Sequence, residues 1–173
     1  MCPLVHDATL NIAHLPIRSR GTIGGSISNA DPAAEYPATM LALDALMVAR
    51  SERGERKIVA ADFFDGVLST SLEADEILTE VRIPKAPENS GSAFIEISRR
   101  QGDYALAGIA AQVTLDDDEN ITGIQLAACG VGPGPVRLNE VEDCVRGTTL
   151  TAGTLLRAKE APSTAVDPEG DVH

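Results

Sequence analysis

Apolar residues at Leu4, Val5, Ala8, Ile12 and Leu15 recur at the spacing of one helix face, so a short helix is expected over 4–14 with Pro16 as its stop. Asp31 followed by Pro32 reads as a second helix start, Asp31 as N-cap and Pro32 at the first helical position. That helix runs through Met40-Leu41-Ala42-Leu43, and Pro37 must fall in its early turns or divide it. Residues 45–50 and 55–60, around Ser51-Glu52-Arg53-Gly54, read as strand, turn and strand, and 77–83 alternates as a further strand. Asp62-Phe63-Phe64-Asp65-Gly66 reads as a short turn or helical tip. Three more strands are expected at 93–98, 105–115 and 121–129, the last two joined by the acidic turn Asp116-Asp117-Asp118-Glu119-Asn120, an arrangement that is antiparallel by default. Helices follow at 138–146, ending at Gly147, and at 151–161, before a polar segment over 162–173. There is no internal repeat. The sum is an α+β chain, an antiparallel sheet backed by C-terminal helices. The polar stretch 84–91, with Pro84 and Pro87, reads either as a domain boundary or as a long hairpin loop.

Composition narrows the function class. The chain has 173 residues, 43% hydrophobic and 23% charged, which fits one globular domain or two small ones and excludes a disordered or fibrous chain. Its net charge is −12, and all of it lies after position 57. An anionic ligand is therefore better tolerated by the neutral first segment. No basic patch is available to neutralise phosphates, so nucleic-acid binding is set aside. No apolar run approaches the roughly 20 residues needed to span a bilayer, and Met1-Cys2-Pro3-Leu4 is not a leader, so a soluble cytoplasmic protein is expected. Cys2, Cys129 and Cys144 are far apart and read as reduced thiols, and His6, His14 and His173 are equally scattered, so no metal site is assigned.

Two stretches could carry chemistry. Gly21 to Ser26 is glycine-rich: adjacent glycines that take positive φ let backbone N–H groups approach phosphate oxygens, and Thr22 and Ser26 add hydroxyls. It is neither a P-loop nor a GxGxxG fingerprint, and an ordinary turn is the alternative. The second stretch is Arg99-Arg100-Gln101-Gly102-Asp103-Tyr104, where Tyr104 either presents its ring to a flat ligand at the start of a strand or plugs the core. The acidic run 116–119 lacks the ligand spacing of a calcium loop, and no nucleophile–base constellation can be drawn.

Taken in order, Ile17-Arg18-Ser19-Arg20-Gly21-Thr22-Ile23-Gly24-Gly25-Ser26, Ala30-Asp31-Pro32-Ala33-Ala34-Glu35-Tyr36-Pro37, Arg100-Gln101-Gly102-Asp103-Tyr104-Ala105 and Gly130-Val131-Gly132-Pro133-Gly134-Pro135-Val136-Arg137-Leu138 resemble the FAD-binding medium subunit of molybdenum hydroxylases, the carbon monoxide dehydrogenase and xanthine dehydrogenase flavoprotein family. The resemblance implies the second lobe of a two-lobed FAD-binding domain over 1–84 and a C-terminal domain of antiparallel sheet and helices over 91–173. It places Thr22, Ile23, Gly24, Gly25 and Ser26 on the FAD pyrophosphate. Asn29, Asp31 and Glu35 fall near the ribityl and phosphate region, with Glu35 a hydroxyl acceptor, and Asp103 and Tyr104 fall near the isoalloxazine ring. No catalytic side chain and no metal ligand is implied in this chain. The implied activity is electron relay from iron–sulfur clusters through FAD to an external acceptor. The implied partners are a large molybdenum-cofactor subunit and a small [2Fe-2S] subunit. Relatives in this family carry a further lobe ahead of the first helix and a longer C-terminus, so the chain reads as truncated, with half of the flavin pocket supplied from elsewhere. A docking module that does not bind FAD alone is the rival expectation.

Overall fold

The computed structural model describes residues 2–161, 164 and 166–168; Met1, His173 and most of the expected polar segment from Pro162 lie outside the described residues. The chain opens with α1 (Pro3–Asn11), whose Leu4 and Ala8 are buried, and α2 (Leu15–Arg18). The first helix ends at Asn11, short of the expected 14, so Pro16 is not its stop; Pro16 sits instead in the first turn of α2, where a missing N–H costs nothing. Between the two helices Ala13 turns through a φ of 38°.

Two expectations for the next segment are corrected. The glycine stretch is not a loop of left-handed glycines, because α3 (Ile23–Asn29) starts within it and neither Gly24 nor Gly25 has positive φ. Thr22 is the N-cap: its hydroxyl accepts from Gly25 N at 2.9 Å, and its carbonyl accepts from Ser26 N at 3.0 Å. A Thr N-cap outweighs the low helix propensity of two glycines in the first turn. The following helix, α4 (Glu35–Ala42), begins later than expected, with Ala34 rather than Asp31 at its N-cap. Asp31 instead closes a turn, its Oδ1 accepting from Ala33 N at 2.9 Å and its carbonyl from Ala34 N at 3.0 Å. Pro37 then lies in the first turn of α4, where its lack of an N–H is harmless.

Antiparallel pairing organises the rest. A first sheet has the order β2-β1-β5, from β1 (Leu46–Ser51), β2 (Gly54–Val59) and β5 (Ile77–Arg82). The expected turn at 62–66 resolves into α5 (Ala60–Phe63) and β3 (Phe64–Gly66), which pairs with β4 (Ser69–Thr70). The second sheet has the order β6-β7-β8-β9, from β6 (Ser90–Ser98), β7 (Ala105–Leu115), β8 (Ile121–Cys129) and β9 (Val136–Arg137). Helices α6 (Asn139–Val145) and α7 (Ala152–Glu160) follow. The fold is therefore α+β, with an antiparallel sheet carrying C-terminal helices as its last part.

One apolar cluster spans both halves. Leu4, Ile27, Met40, Met47 and Phe63 from the first half are buried with Phe94, Ala110, Ala127 and Cys129 from the second sheet. Helix α4 lies against β7 and β8, so the element that starts at Glu35 is clamped by the second sheet. A smaller cluster of Ile121, Ile124 and Val145 seats α6 and α7. Among the described residues no helix is long and apolar enough to cross a membrane.

Candidate functional site

A cleft of about 890 Å³ opens between the first three helices, the turn at Asp31, the start of α4 and the loop that leads into β7. Thr22, Ile23, Gly25, Ser26, Asn29, Asp31, Glu35, Asp103 and Tyr104 line it, so residues far apart in sequence meet on one surface. Gly24 alone of the expected set is absent from that lining. The sequence reading missed Thr9, His14, Arg18 and Tyr36, which also line the cleft. Arg18 and Tyr36 stand inside the motifs that carried the resemblance. For Thr9 and His14 the sequence holds no signal, because the fold alone brings α1 beside α4.

The start of α3 presents donors to this cleft. The first N–H groups of a helix have no acceptor in their own helix, and Thr22 occupies only that of Gly25, leaving that of Ile23, which lines the cleft, for a ligand. The spacing is tight at one glycine and open at the other. A Cβ on Gly25 would lie 2.8 Å from Thr22 Oγ1, whereas one on Gly24 would meet nothing within 4 Å. The partial positive charge of a helix start suits anionic oxygens.

The opposite wall is held by hydrogen bonds between distant elements. Arg18 donates to the carbonyls of Ile12 at 2.6 Å and Ala13 at 2.7 Å, fixing the bend before α2. Thr9 Oγ1 and Tyr36 OH lie 2.9 Å apart and tie α1 to α4. Gly130 N donates to the Pro32 carbonyl at 2.8 Å, so the end of β8 holds the Asp31 turn. The loop before β7 turns at Gly102, which has a φ of 86° and approaches the His14 ring so closely that a Cβ would lie 2.5 Å from it. Tyr104 is 76% exposed, which decides against its plugging the core; its side chain stands on the cleft wall.

Glu35 is the electrostatic outlier. It is 7% exposed at the first position of α4, and burial, with Glu96 and Asp31 nearby, pushes its carboxyl up to about 7. Burial raises Glu96 as well. Cys129, behind them on β8, is fully buried, and burial with the two carboxyls pushes its thiol up to about 12, so it is an inert neutral group.

Comparison with known proteins gives the kinship of this fold and cleft. Residues 1–86 match the FAD binding domain in molybdopterin dehydrogenase, and residues 92–173 match the CO dehydrogenase flavoprotein C-terminal domain. The chain belongs to the FAD-binding medium-subunit family of the molybdenum hydroxylases. It is 40% identical over 171 residues to the 6-hydroxypseudooxynicotine dehydrogenase complex subunit alpha of Paenarthrobacter nicotinovorans, covering 99% of this chain and 58% of that protein. It is 39% identical over 170 residues to caffeine dehydrogenase subunit beta of Pseudomonas sp. (strain CBB1), covering 95% of this chain and 57% of that protein. Among solved structures, it resembles carbon monoxide dehydrogenase from Hydrogenophaga pseudoflava lacking the Mo-pyranopterin moiety, with a TM-score of 0.92, 32% identity and coverage of 98% of this chain and 59% of that one. The chain thus spans less than two thirds of the length of these relatives.

Proposed function

We propose that this chain supplies the FAD site of a molybdenum-containing hydroxylase or dehydrogenase, in which electrons pass from iron–sulfur clusters through the flavin to an external acceptor. The observation that carries the reading is the meeting of the 22–35 motifs and the Asp103-Tyr104 loop in one cleft. The residues fit the cofactor, because the start of α3 offers N–H groups that the Thr22 cap does not use, and Gly25 leaves that cap room that a side chain would take. FAD, when bound, supplies the electron-transfer chemistry, and the chain supplies binding, orientation and electrostatics. In this reading Thr22, Ile23, Gly24, Gly25 and Ser26 hold the pyrophosphate. Asn29, Asp31 and Glu35 face the ribityl and phosphate region, while Asp103 and Tyr104 border the ring.

We further assign residues 1–84 to the second lobe of the FAD-binding domain and 91–173 to the C-terminal domain. The partners are a large subunit holding the molybdenum cofactor and a small subunit holding [2Fe-2S] clusters, and substrate hydroxylation takes place in the former. Free Cys2, Cys129 and Cys144 support a cytoplasmic assembly. A docking module with no ligand has no use for this cleft.

A visible absorption spectrum of the protein purified in an assembly that supplies the other half of the pocket, taken after incubation with FAD and removal of free flavin, tests the reading. A retained flavin band is expected. Gly25→Val is expected to lower retention by about tenfold or more, because a branched side chain displaces the Thr22 cap. Unchanged retention in that variant would remove α3 from the binding site.

A further inference from the structure

Behind Glu35 stands a charge that the strand pattern does not call for. Along β6 alternate residues turn inward, and Glu96 takes one of those positions two residues from buried Phe94. Its neighbour in register on β7 is Gly108, whose own neighbour on β8 is Cys129. That row is close-packed: a Cβ on Gly108 would lie 2.7 Å from Cys129 Sγ and 3.2 Å from the Phe94 ring. Against this row the carboxyl of Glu96 meets that of Glu35 at the start of α4.

Glu96 Oε2 is buried and has no N–H or hydroxyl donor among the described residues. Two ionised carboxylates here would be an uncompensated buried charge pair. A single proton between them turns the repulsion into an O–H···O⁻ hydrogen bond and gives the orphaned oxygen its donor. Among the described residues, the charged groups that act most strongly on the two carboxyls are themselves acidic. Asp31 faces Glu35 from the preceding turn and Cys129 from β8, both groups of acidic type. Helix α3 and strand β7 carry no titratable side chain. On α1, His6 and Asp7 face each other at 3.3 Å on the surface, and Tyr36 is engaged with Thr9. Arg18, Arg20 and His14 line the same cleft, but Arg18 is committed to two backbone carbonyls. Arg137 of β9 is taken by Glu142 and Asp44 at the far end of α4. On its other side Glu96 borders a second cavity of about 420 Å³ whose lining includes Asn11, Ser98 and Gln101.

Building on the FAD reading above, we propose that Glu96 is a positioning residue for the cofactor cleft: Glu35 and Glu96 share one proton, carried by Glu35 and donated to Glu96, so that Glu35 faces the anionic cofactor as a neutral carboxyl. A neutral carboxyl can still accept a hydroxyl hydrogen bond, and it does not repel a pyrophosphate.

Two measurements test this, the first without ligand. Urea unfolding is followed against pH for the wild type, Glu96→Gln and Glu35→Gln. A carboxyl whose folded form holds its proton more tightly than the unfolded chain contributes stability that is complete at acid pH and is lost as pH rises from 4.5 to about 7. The wild type is expected to show that loss. Glu35→Gln is expected to remove the Glu35 part of it, and Glu96→Gln to shrink it and move it to lower pH, because the amide takes away the carboxyl–carboxyl contribution and leaves only that of burial. A loss of unchanged size and midpoint in Glu96→Gln overturns the proposal. The second measurement is FAD affinity against pH. Wild-type affinity is expected to fall severalfold on crossing neutrality, and in Glu96→Gln the fall is expected to move down by about one pH unit or more. An unmoved midpoint again overturns the proposal. If Glu96→Gln does not fold, carbon-13 NMR titration of the glutamate carboxyls in the wild type and Glu35→Gln decides it, two independent ordinary titrations being the negative result. A wild type that binds no FAD at any pH, while its ligand-free titration behaves as expected, would instead count against the FAD reading alone.

Discussion

Glu142→Ala is expected to destabilise the fold by about 3–5 kcal/mol, the usual cost of leaving one member of a buried ion pair behind. Glu142 is 3% exposed on α6, and its Oε1 accepts from Leu126 N on β8 at 2.7 Å and from Arg137 Nε on β9. Arg137 in turn donates to the Leu41 carbonyl at 3.1 Å and to Asp44 at 2.8 Å, so one guanidinium joins the second sheet to the end of α4. Removing the carboxylate leaves the Leu126 N–H without its acceptor and takes from Arg137 its buried partner, so that only the exposed Asp44 and the Leu41 carbonyl remain to it. Thermal unfolding checks this: the midpoint should drop by roughly 10 °C for a chain of this size. Glu142→Gln should fall between the two, since an amide oxygen still accepts from Leu126 N but offers no charge to Arg137. A drop of under about 1 kcal/mol for the alanine variant, within the range of an exposed pair, would show that the network contributes little.

Gly130→Ala is expected to cost about 2–4 kcal/mol, through two effects that add at one position. Gly130 has a φ of 76°, and a Cβ there would lie 2.8 Å from the Leu106 carbonyl oxygen and 2.9 Å from that of Ala105. Those are backbone atoms at the start of β7 and cannot swing away. Gly130 N also donates to the Pro32 carbonyl at 2.8 Å, so any shift that relieves the clash pulls on the turn at Asp31. Urea unfolding should therefore show a lower midpoint, and FAD retention should weaken in the same variant. Gly134→Ala is the control, because its Cβ would meet nothing within 4 Å.

How far the sequence disclosed this fold varied with what sets each element. The meander was readable because period-two alternation and an acidic turn are local signals, and the bounds of β7 and β8 coincide with the expected 105–115 and 121–129. Strand β9 was not readable, since two residues have no period; it exists because Val136 and Arg137 pair with Ala128 and Ala127. The helix starts were misplaced at both ends of one motif. Glycine at 24 and 25 argued for a loop, yet a threonine cap upstream was decisive, and Asp31-Pro32 closed a turn instead of opening a helix. At the candidate site, motifs led to the residues from Thr22 to Glu35 and to Tyr104, but the partner of Glu35 was invisible. Nothing in the sequence of β6 distinguishes Glu96 from a solvent-facing glutamate until α4 is laid against the strand.

Cys129 gives the molecule an internal clock. Its sulfur is sealed between β7, α4 and the two carboxyls, and its thiol, pushed up to about 12, is protonated at neutral pH. Cys2 and Cys144 are only partly covered, so an alkylating reagent reaches them in the native state and reaches Cys129 only when the second sheet parts from α4. Counting the third label against time therefore reads how often that seam opens. A ligand gripping both sides of the cleft should slow the count, without any need to see the ligand's colour.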